Sequence, residues 1–186
     1  MNSNKGFTLI ELVIAIFILV VAIIGVYNAF STIVIMTTDS SSRFTAAYLA
    51  QDGMEIIRNI RDNNWVKNTT TKTDWKTGLT GCEAGCEADY KTGTSQEITP
   101  LRGYLGGGNY LKINNDDGFY SYDEPTEGYT TTKFKRKITI TPNADPDVLN
   151  VSVLVTWNEK GEEGCDVSKG IGNCIEVEEK LYDWYQ

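Results

Sequence analysis

The 186-residue sequence contains no histidine. Histidine is the side chain used most often as a general base near neutral pH and is a frequent metal ligand, so a Ser-His-Asp triad is excluded. The sequence also lacks a P-loop, and we interpret Gly106-Gly107-Gly108 as a flexible turn because no Gly-Lys-Ser follows it. We therefore predict that the chain is not an enzyme and has no catalytic residue, no metal site and no cofactor.

Proline and basic residues are also scarce. The first of the four prolines is Pro100, so no proline interrupts a helix between Phe7 and Trp65. Lysine and arginine together number 17, against 25 acidic residues. Because a nucleic-acid surface neutralises phosphates with lysine and arginine, direct nucleic-acid binding is not expected.

One unbroken apolar run, residues 12–26, follows Glu11 near the N-terminus. A helix of about 20 apolar residues crosses a bilayer, and we predict such a helix over residues 7–36. An acidic side chain costs roughly 2.5–3.5 kcal/mol at the centre of a membrane. Glu11 is therefore a candidate functional residue that requires a partner.

The apolar run is preceded by Gly6-Phe7-Thr8-Leu9-Ile10-Glu11. Together, these residues and the run resemble the N-terminus of the type IV pilin family, which includes the pseudopilins of type II secretion. The resemblance implies a leader peptide over residues 1–6, cleavage by prepilin peptidase between Gly6 and Phe7, and N-methylation of Phe7. It also implies that Glu11 meets the N-terminal amine of a neighbouring subunit. The alternatives are a plain membrane anchor or a secretory signal, which has a shorter apolar stretch and a small-residue cleavage site.

The resemblance also implies partners and a location. The partners are other pilin or pseudopilin subunits, prepilin peptidase, and an assembly ATPase with its platform protein. The chain is expected to cross the cytoplasmic membrane once, with its C-terminal domain outside, and then to enter a cell-surface or periplasmic filament. Within the family, the chain resembles a minor pilin or minor pseudopilin. The resemblance lies in residues 46–55 and 58–62 and in the absence of proline from the membrane half of the helix.

Residues 37–66 are predicted to form the amphipathic half of the same helix. The polar stretch 37–42 either caps a new helix or is tolerated inside one. Beyond it, small and apolar residues recur at helical spacing at Ala46, Leu49, Ala50, Gly53, Ile56, Ile57 and Ile60. This stripe is expected to lie on a sheet, with Gly53 allowing close packing. Arg58 and Asp62 are expected to pair on the opposite face.

Residues 67–128 are rich in Thr, Gly, Asn and Asp and are predicted to be a variable loop region with short strands. Within it, residues 110–113 and 119–122 are prone to form strands and flank the turn-forming residues 114–118, a pattern that predicts a β-hairpin. The acids of this turn also match a fragment of a calcium-binding loop, although such a loop needs further ligands and a distant Glu.

Residues 129–186 alternate apolar and polar side chains in a pattern typical of antiparallel strands. We expect strands over residues 133–141, 150–158 and 174–182, with residues 142–147 as the first connecting turn. A long helix packed on an antiparallel sheet is an α+β fold, and the pilin resemblance implies the same arrangement.

The four cysteines form two close pairs along the chain, Cys82 with Cys86 and Cys165 with Cys174. Disulfides persist outside the cytoplasm, so we predict two local bridges, although four cysteines allow three connectivities. A zinc site favours C-x2-C spacing, which these pairs lack. Four free thiols are the remaining alternative.

The one basic cluster comprises Lys133, Lys135, Arg136 and Lys137, with Arg136 on the apolar side of its strand. One interpretation is a contact surface for an acidic subunit or DNA. The other, which we favour, is a solvated strand face that pairs with Glu176, Glu178 and Glu179.

Three functions remain open at this point. The sequence favours a structural, minor pilin-like subunit of a type IV pilus-type filament. The alternatives are a type II secretion pseudopilin and a membrane-anchored module that binds sugar or calcium. Removal of Glu11 is expected to abolish assembly under the first two and to leave the third unaffected.

Overall fold

The computed structural model describes residues 6, 8–71, 74–93, 101–106, 109–122, 128–157, 165–166 and 172–183. Phe7, Gly107, Gly108 and Asn158 lie outside these residues. One helix and a series of strands follow each other along the chain: α1 (Leu9–Thr71), β1 (Cys86–Glu87), β2 (Arg102–Gly103), β3 (Lys112–Asn114), β4 (Tyr120–Ser121), β5 (Tyr129–Thr131), β6 (Lys135–Pro142), β7 (Val148–Thr156) and β8 (Cys174–Tyr182).

The chain divides into two units, Met1–Ser41 and Ser42–Gln186. In the first unit, the large apolar side chains of α1 are exposed. By length and composition, α1 is the one helix among the described residues that qualifies as a membrane span. The apolar surface therefore has no protein covering within this unit.

The polar stretch 37–42 does not end the helix. The Thr37 hydroxyl donates a hydrogen bond of 2.8 Å to the carbonyl of Ile33, and the Thr38 hydroxyl donates one of 2.9 Å to the carbonyl of Val34. Such bonds to the preceding turn satisfy a hydroxyl within a helix. The stretch is tolerated inside α1, which decides between the two interpretations offered by the sequence.

In the second unit, the predicted stripe on α1 packs against an antiparallel sheet with the strand order β2-β1-β6-β7-β8. All seven stripe positions are buried, as is Met54. The facing residues of the sheet are the alternating apolar side chains Ile138, Ile140, Val151, Val153, Val155 and Leu181. The predicted α+β architecture is confirmed.

The three predicted C-terminal strands correspond to β6, β7 and β8. β6 pairs with β7 along its full length, from Lys135↔Thr156 to Pro142↔Leu149. β7 pairs with β8 at nine consecutive positions, from Val148↔Tyr182 to Thr156↔Cys174. The alternation of Val151, Val153 and Val155 with more exposed neighbours is therefore the two-sided pattern that the sequence predicted.

The predicted hairpin is present as β3 and β4, paired at Lys112↔Ser121 and Ile113↔Tyr120. A third strand, β5, pairs with the other side of β3, which gives a separate sheet with the order β4-β3-β5. The sequence predicted short strands within residues 67–128 but did not locate β1 and β2, nor did it predict this partner for β5. Segments of two or three residues carry almost no periodicity.

Two disulfide bonds join Cys82 to Cys86 and Cys165 to Cys174, the local connectivity that the sequence favoured. Cys86 begins β1 and pairs with Ile138 of β6, and the carbonyl of Cys82 accepts a hydrogen bond from Ile140 at 3.2 Å. The first bridge therefore holds a short loop against the edge of β6.

Candidate assembly site

The described part of the N-terminal segment begins with a capped helix. The Thr8 hydroxyl accepts a hydrogen bond from the amide of Glu11 at 3.4 Å, and the Thr8 carbonyl accepts one from Leu12 at 3.2 Å. Thr8 is thus the N-cap of α1, and Thr-x-x-Glu is the signature of a capping box. The sequence analysis names Thr8 only as part of the motif and does not predict its capping role, although the Thr-x-x-Glu spacing indicates it.

Glu11 lies in the first turn of α1 and is exposed. The partial positive charge at a helix N-terminus favours an acidic side chain there. No described residue forms an ion pair with its carboxylate. Gly6 is exposed, whereas Phe7 lies outside the described residues, so cleavage between the two remains a prediction.

The surface that follows Glu11 is apolar on every side of the helix. The large apolar side chains from Leu9 to Met36 are between 45% and 81% exposed, so no single stripe is reserved for one neighbour. A helix that is hydrophobic all round requires an apolar environment on all sides. Lipid or the apolar helices of other proteins would provide such an environment.

The second unit contains a buried polar cluster around Arg136, whose side chain is fully buried. Its guanidinium donates hydrogen bonds to the carbonyl of Leu49 at 2.9 Å, to the carboxylate of Asp52 at 2.6 Å and to the carbonyl of Ala88 at 2.5 Å. The Tyr122 hydroxyl donates to the Arg136 carbonyl at 3.0 Å. One side chain therefore connects α1, the end of β1 and β6.

Gly53 makes room for this cluster. A Cβ atom at position 53 would lie 2.9 Å from Cδ of Arg136 and 2.9 Å from Cγ1 of Val153. Both distances are too short for carbon atoms, so helix and sheet approach each other more closely here than any side chain would allow. The prediction that Gly53 serves close helix–sheet packing is confirmed.

The interpretation of the basic cluster as a solvated strand face is wrong for Lys135 and Arg136, which are both buried. The three lysines instead lie over aromatic rings, with Lys133 at 5.8 Å from Phe134, Lys135 at 4.5 Å from Tyr110 and Lys137 at 5.4 Å from Tyr104. Their ammonium groups are engaged within the chain by cation–π contacts.

The predicted charge pairs of this region also differ from the observed ones. β7 lies between β6 and β8, so the acids of β8 cannot pair with the lysines of β6 across adjacent strands. Glu179 instead accepts hydrogen bonds from Arg58, which also contacts Glu55 at 3.0 Å. The expected pair of Arg58 with Asp62 is therefore wrong. The hydrogen bond with Glu179, followed by that with Glu55, raises the pKa of Arg58.

Glu87 is another buried ionisable group, with a side chain that is 1% exposed. Its carboxylate accepts hydrogen bonds from the amide of Leu105 at 3.3 Å and from the side chain of Asn109. Burial raises its pKa above the ordinary value, and these hydrogen bonds oppose the shift. Burial likewise raises the pKa of the Tyr122 hydroxyl.

The acidic turn of the hairpin uses its side chains to form the turn itself. Asn114 accepts a hydrogen bond from the amide of Asp116 at 2.9 Å, and Asp117 accepts one from the amide of Phe119 at 2.9 Å. These are the local bonds of Asx turns. Among the described residues, no group of three acidic or cysteine side chains is arranged to hold a metal ion.

Comparison with protein families supplies one match. Residues 1–27 match the family described as the prokaryotic N-terminal methylation motif. This motif is the prepilin signature of type IV pilins and pseudopilins, so the chain carries the signature of a filament-type subunit. No curated protein and no solved structure matches the chain significantly.

Proposed function

We propose that this protein is a minor pilin-like structural subunit of a type IV pilus-type filament. The observation that carries the proposal is the methylation motif at residues 1–27, which lies on a helix whose apolar side chains are exposed. The chain therefore combines a motif that is processed at the membrane with a helix surface that requires contact with lipid or with other helices.

In this proposal, processing prepares the helix for assembly. Prepilin peptidase cuts between Gly6 and Phe7, and the new amine of Phe7 is methylated. The apolar part of α1 then exchanges lipid for the helices of neighbouring subunits, driven by the assembly ATPase and its platform protein. Because lipid is as apolar as leucine, this exchange gains little hydrophobic free energy and depends on specific contacts.

Glu11 supplies such a contact. A carboxylate within an apolar bundle requires an opposite charge, and the terminal amine of a neighbouring subunit provides one. The position of Glu11 in a capped first turn supports this role, because the Thr8 hydrogen bond holds the helix start in a defined conformation. A subunit out of register would leave both charges unpaired.

A type II secretion pseudopilin is the second candidate, since the same motif occurs in both classes of subunit. The two differ in the consequence of deletion. Loss of a minor pilin removes or alters surface fibres, whereas loss of a pseudopilin blocks protein secretion and leaves surface fibres intact.

Processing is tested by intact-mass and N-terminal analysis of the chain extracted from membranes that contain prepilin peptidase. We expect a chain that starts at Phe7 and carries one added methyl group. A Gly6→Val variant serves as the control and should retain the leader. A native chain that starts at Met1 beside an active peptidase, or that is cut after the apolar run, would exclude both filament roles.

A further inference from the structure

The two outer strands of the main sheet differ greatly in length. β2 forms one edge with two residues, Arg102 and Gly103, whereas β8 forms the other with nine. β8 pairs with β7 at every position without a bulge, and it contains neither proline nor glycine. Long, regular edge strands of this kind can accept a further strand, which is why most proteins shorten or interrupt them.

The hydrogen bonds at the two ends of the β7–β8 ladder define which backbone groups point outward. The amide of Trp157 donates to the carbonyl of Asn173, and the amide of Asp183 donates to the carbonyl of Asp147. Antiparallel ladders alternate between bonded and non-bonded pairs. The odd-numbered residues of β8 therefore bond to β7, and the even-numbered residues direct their N–H and C=O groups away from the sheet.

Three of these outward residues are Glu176, Glu178 and Lys180. Their side chains are exposed, and among the described residues none of their backbone amides has a hydrogen-bond acceptor. The odd-numbered side chains point to the helix side, where Glu179 is held by Arg58. A strand added at this edge would gain backbone hydrogen bonds at alternate positions of β8.

The charges on the outer face select the partner. Two carboxylates, on Glu176 and Glu178, precede one ammonium group, on Lys180. Opposite charges directly across neighbouring strands are stabilising, and like charges are destabilising. The net charge of −8 also disfavours a second copy of this chain. The complementary strand carries basic residues opposite both carboxylates and an acidic residue opposite Lys180.

We infer that the outer edge of β8 is a docking site for an extended segment of a partner protein. This segment has basic residues at two alternate positions and adds a strand to the sheet. In the antiparallel orientation, which is slightly more stable per residue, the partner segment has the order Glu-x-Lys-x-Lys. This site is separate from the N-terminal assembly segment and does not depend on the filament proposal.

Amide exchange of the full chain in detergent micelles tests the edge directly. In the free protein, the amides of Glu176, Glu178 and Lys180 should exchange fast, and those of Ile175, Val177 and Glu179 should exchange slowly. A capped peptide in which Glu, Lys and Lys alternate with valine should slow the first three selectively. A peptide with every charge reversed should bind more weakly.

Two variants separate the contribution of backbone hydrogen bonds to peptide binding from the contribution of charge. Glu178→Pro removes an outward N–H without removing a bond to β7, so peptide binding should be lost while the fold is retained. Glu176→Lys combined with Glu178→Lys should weaken binding about tenfold and favour the charge-reversed peptide. Glu83→Lys combined with Asp116→Lys changes the net charge equally at exposed positions outside β8 and should bind as the parent does.

Several results would overturn the inference. Slow exchange of the Glu176, Glu178 and Lys180 amides in the free protein would mean that the edge is already covered. Protection that rises with protein concentration alone would identify a second copy as the occupant. Equal binding of both peptides, or binding without selective amide protection, would exclude a basic strand at this edge.

Discussion

The two parts of α1 have the same backbone conformation and opposite surroundings. Between Leu9 and Met36 the large apolar side chains are at least 45% exposed, whereas from Ala46 to Ile60 the apolar stripe is at most 8% exposed. The second part has a sheet to cover it, and the first part has no covering within its unit.

This difference shows what each part requires. The second part obtains its stability from packing within one chain, including a polar cluster that fixes how helix and sheet meet. The first part is apolar all round and carries one charge at its start, so its stable state depends on an apolar environment from outside the chain. Substitutions in the first part should therefore affect assembly, and those in the second should affect unfolding.

The largest effect is expected from Glu11→Gln. Glutamine is accepted at the third position of a capping box, so the helix start is retained and only the charge is lost. A neighbouring amine left unpaired in an apolar bundle costs about 3–5 kcal/mol, or more than about a hundredfold in each contact. Filaments in the sheared surface fraction should fall below detection while the membrane level of the subunit is unchanged.

Glu55→Gln is the matched control, because it makes the same chemical change on the same helix at an exposed position. It should assemble as the parent does. If the Glu11→Gln variant assembled normally, Glu11 would have only the local role of a first-turn acid, and the proposed contact between subunits would be wrong.

The next effect is expected from Arg136→Ala in the second unit. The substitution opens a cavity and removes the donors that satisfy Leu49 and Ala88, so we expect a loss of about 3–5 kcal/mol in the free energy of unfolding. Urea titration followed by fluorescence measures it, since Trp65, Trp75 and Trp157 are buried. Lys180→Ala, at an exposed position of β8, should change stability by no more than about 0.5 kcal/mol.

A smaller effect is expected from Gly53→Ala. Alanine normally stabilises a helix by about 1 kcal/mol relative to glycine, but here the added methyl group would overlap Arg136 and Val153. Overpacking of this kind costs about 1–3 kcal/mol, so the unfolding free energy should fall. Gly25→Ala is the control, because no atom lies within 4 Å of its added Cβ and the second unit should keep its stability. A gain at Gly53 would contradict the close packing.

Much of this comparison was predictable from sequence. The helical spacing from Ala46 to Ile60 and the alternation in β6 and β7 each extend over many residues, and periodicity over that length is a strong signal. The methylation motif was equally readable, because its order, spacing and apolar run all agree. These features were predictable because each one is either local in the sequence or repeats along it.

The polar cluster was not predictable, because its members are distant in sequence. The sequence shows Arg136 as an exception on the apolar side of β6, but nothing near it indicates Asp52 as its partner, 84 residues away. The acids of β8 were assigned to the wrong lysines for the same reason. The order of the strands in the sheet decides which charged side chains can pair. The periodicity of the sequence does not predict that order.

The smallest effect concerns the pH dependence contributed by Glu87. Because burial raises its pKa in the folded chain, the folded state binds this proton more tightly than the unfolded state does. Its contribution to stability is therefore full below the ordinary pKa of 4.5 and is lost as pH rises through the raised folded value. Glu87→Gln removes the charge and keeps one acceptor oxygen, which can accept from the amide of Leu105. The Asn109 side-chain amide can then turn its own oxygen toward the new NH2 group, so the loss of stability with rising pH should disappear.

Urea titrations of parent and Glu87→Gln across acidic to neutral pH measure this difference. The unfolding free energy of the variant should improve relative to the parent as pH rises, because the variant never places a carboxylate in the buried position. Glu83→Gln, an exposed acid four residues away, should preserve the pH dependence of the parent. A relative loss of stability with rising pH in Glu87→Gln would mean that Arg102 and the hydrogen bonds to the carboxylate outweigh its burial.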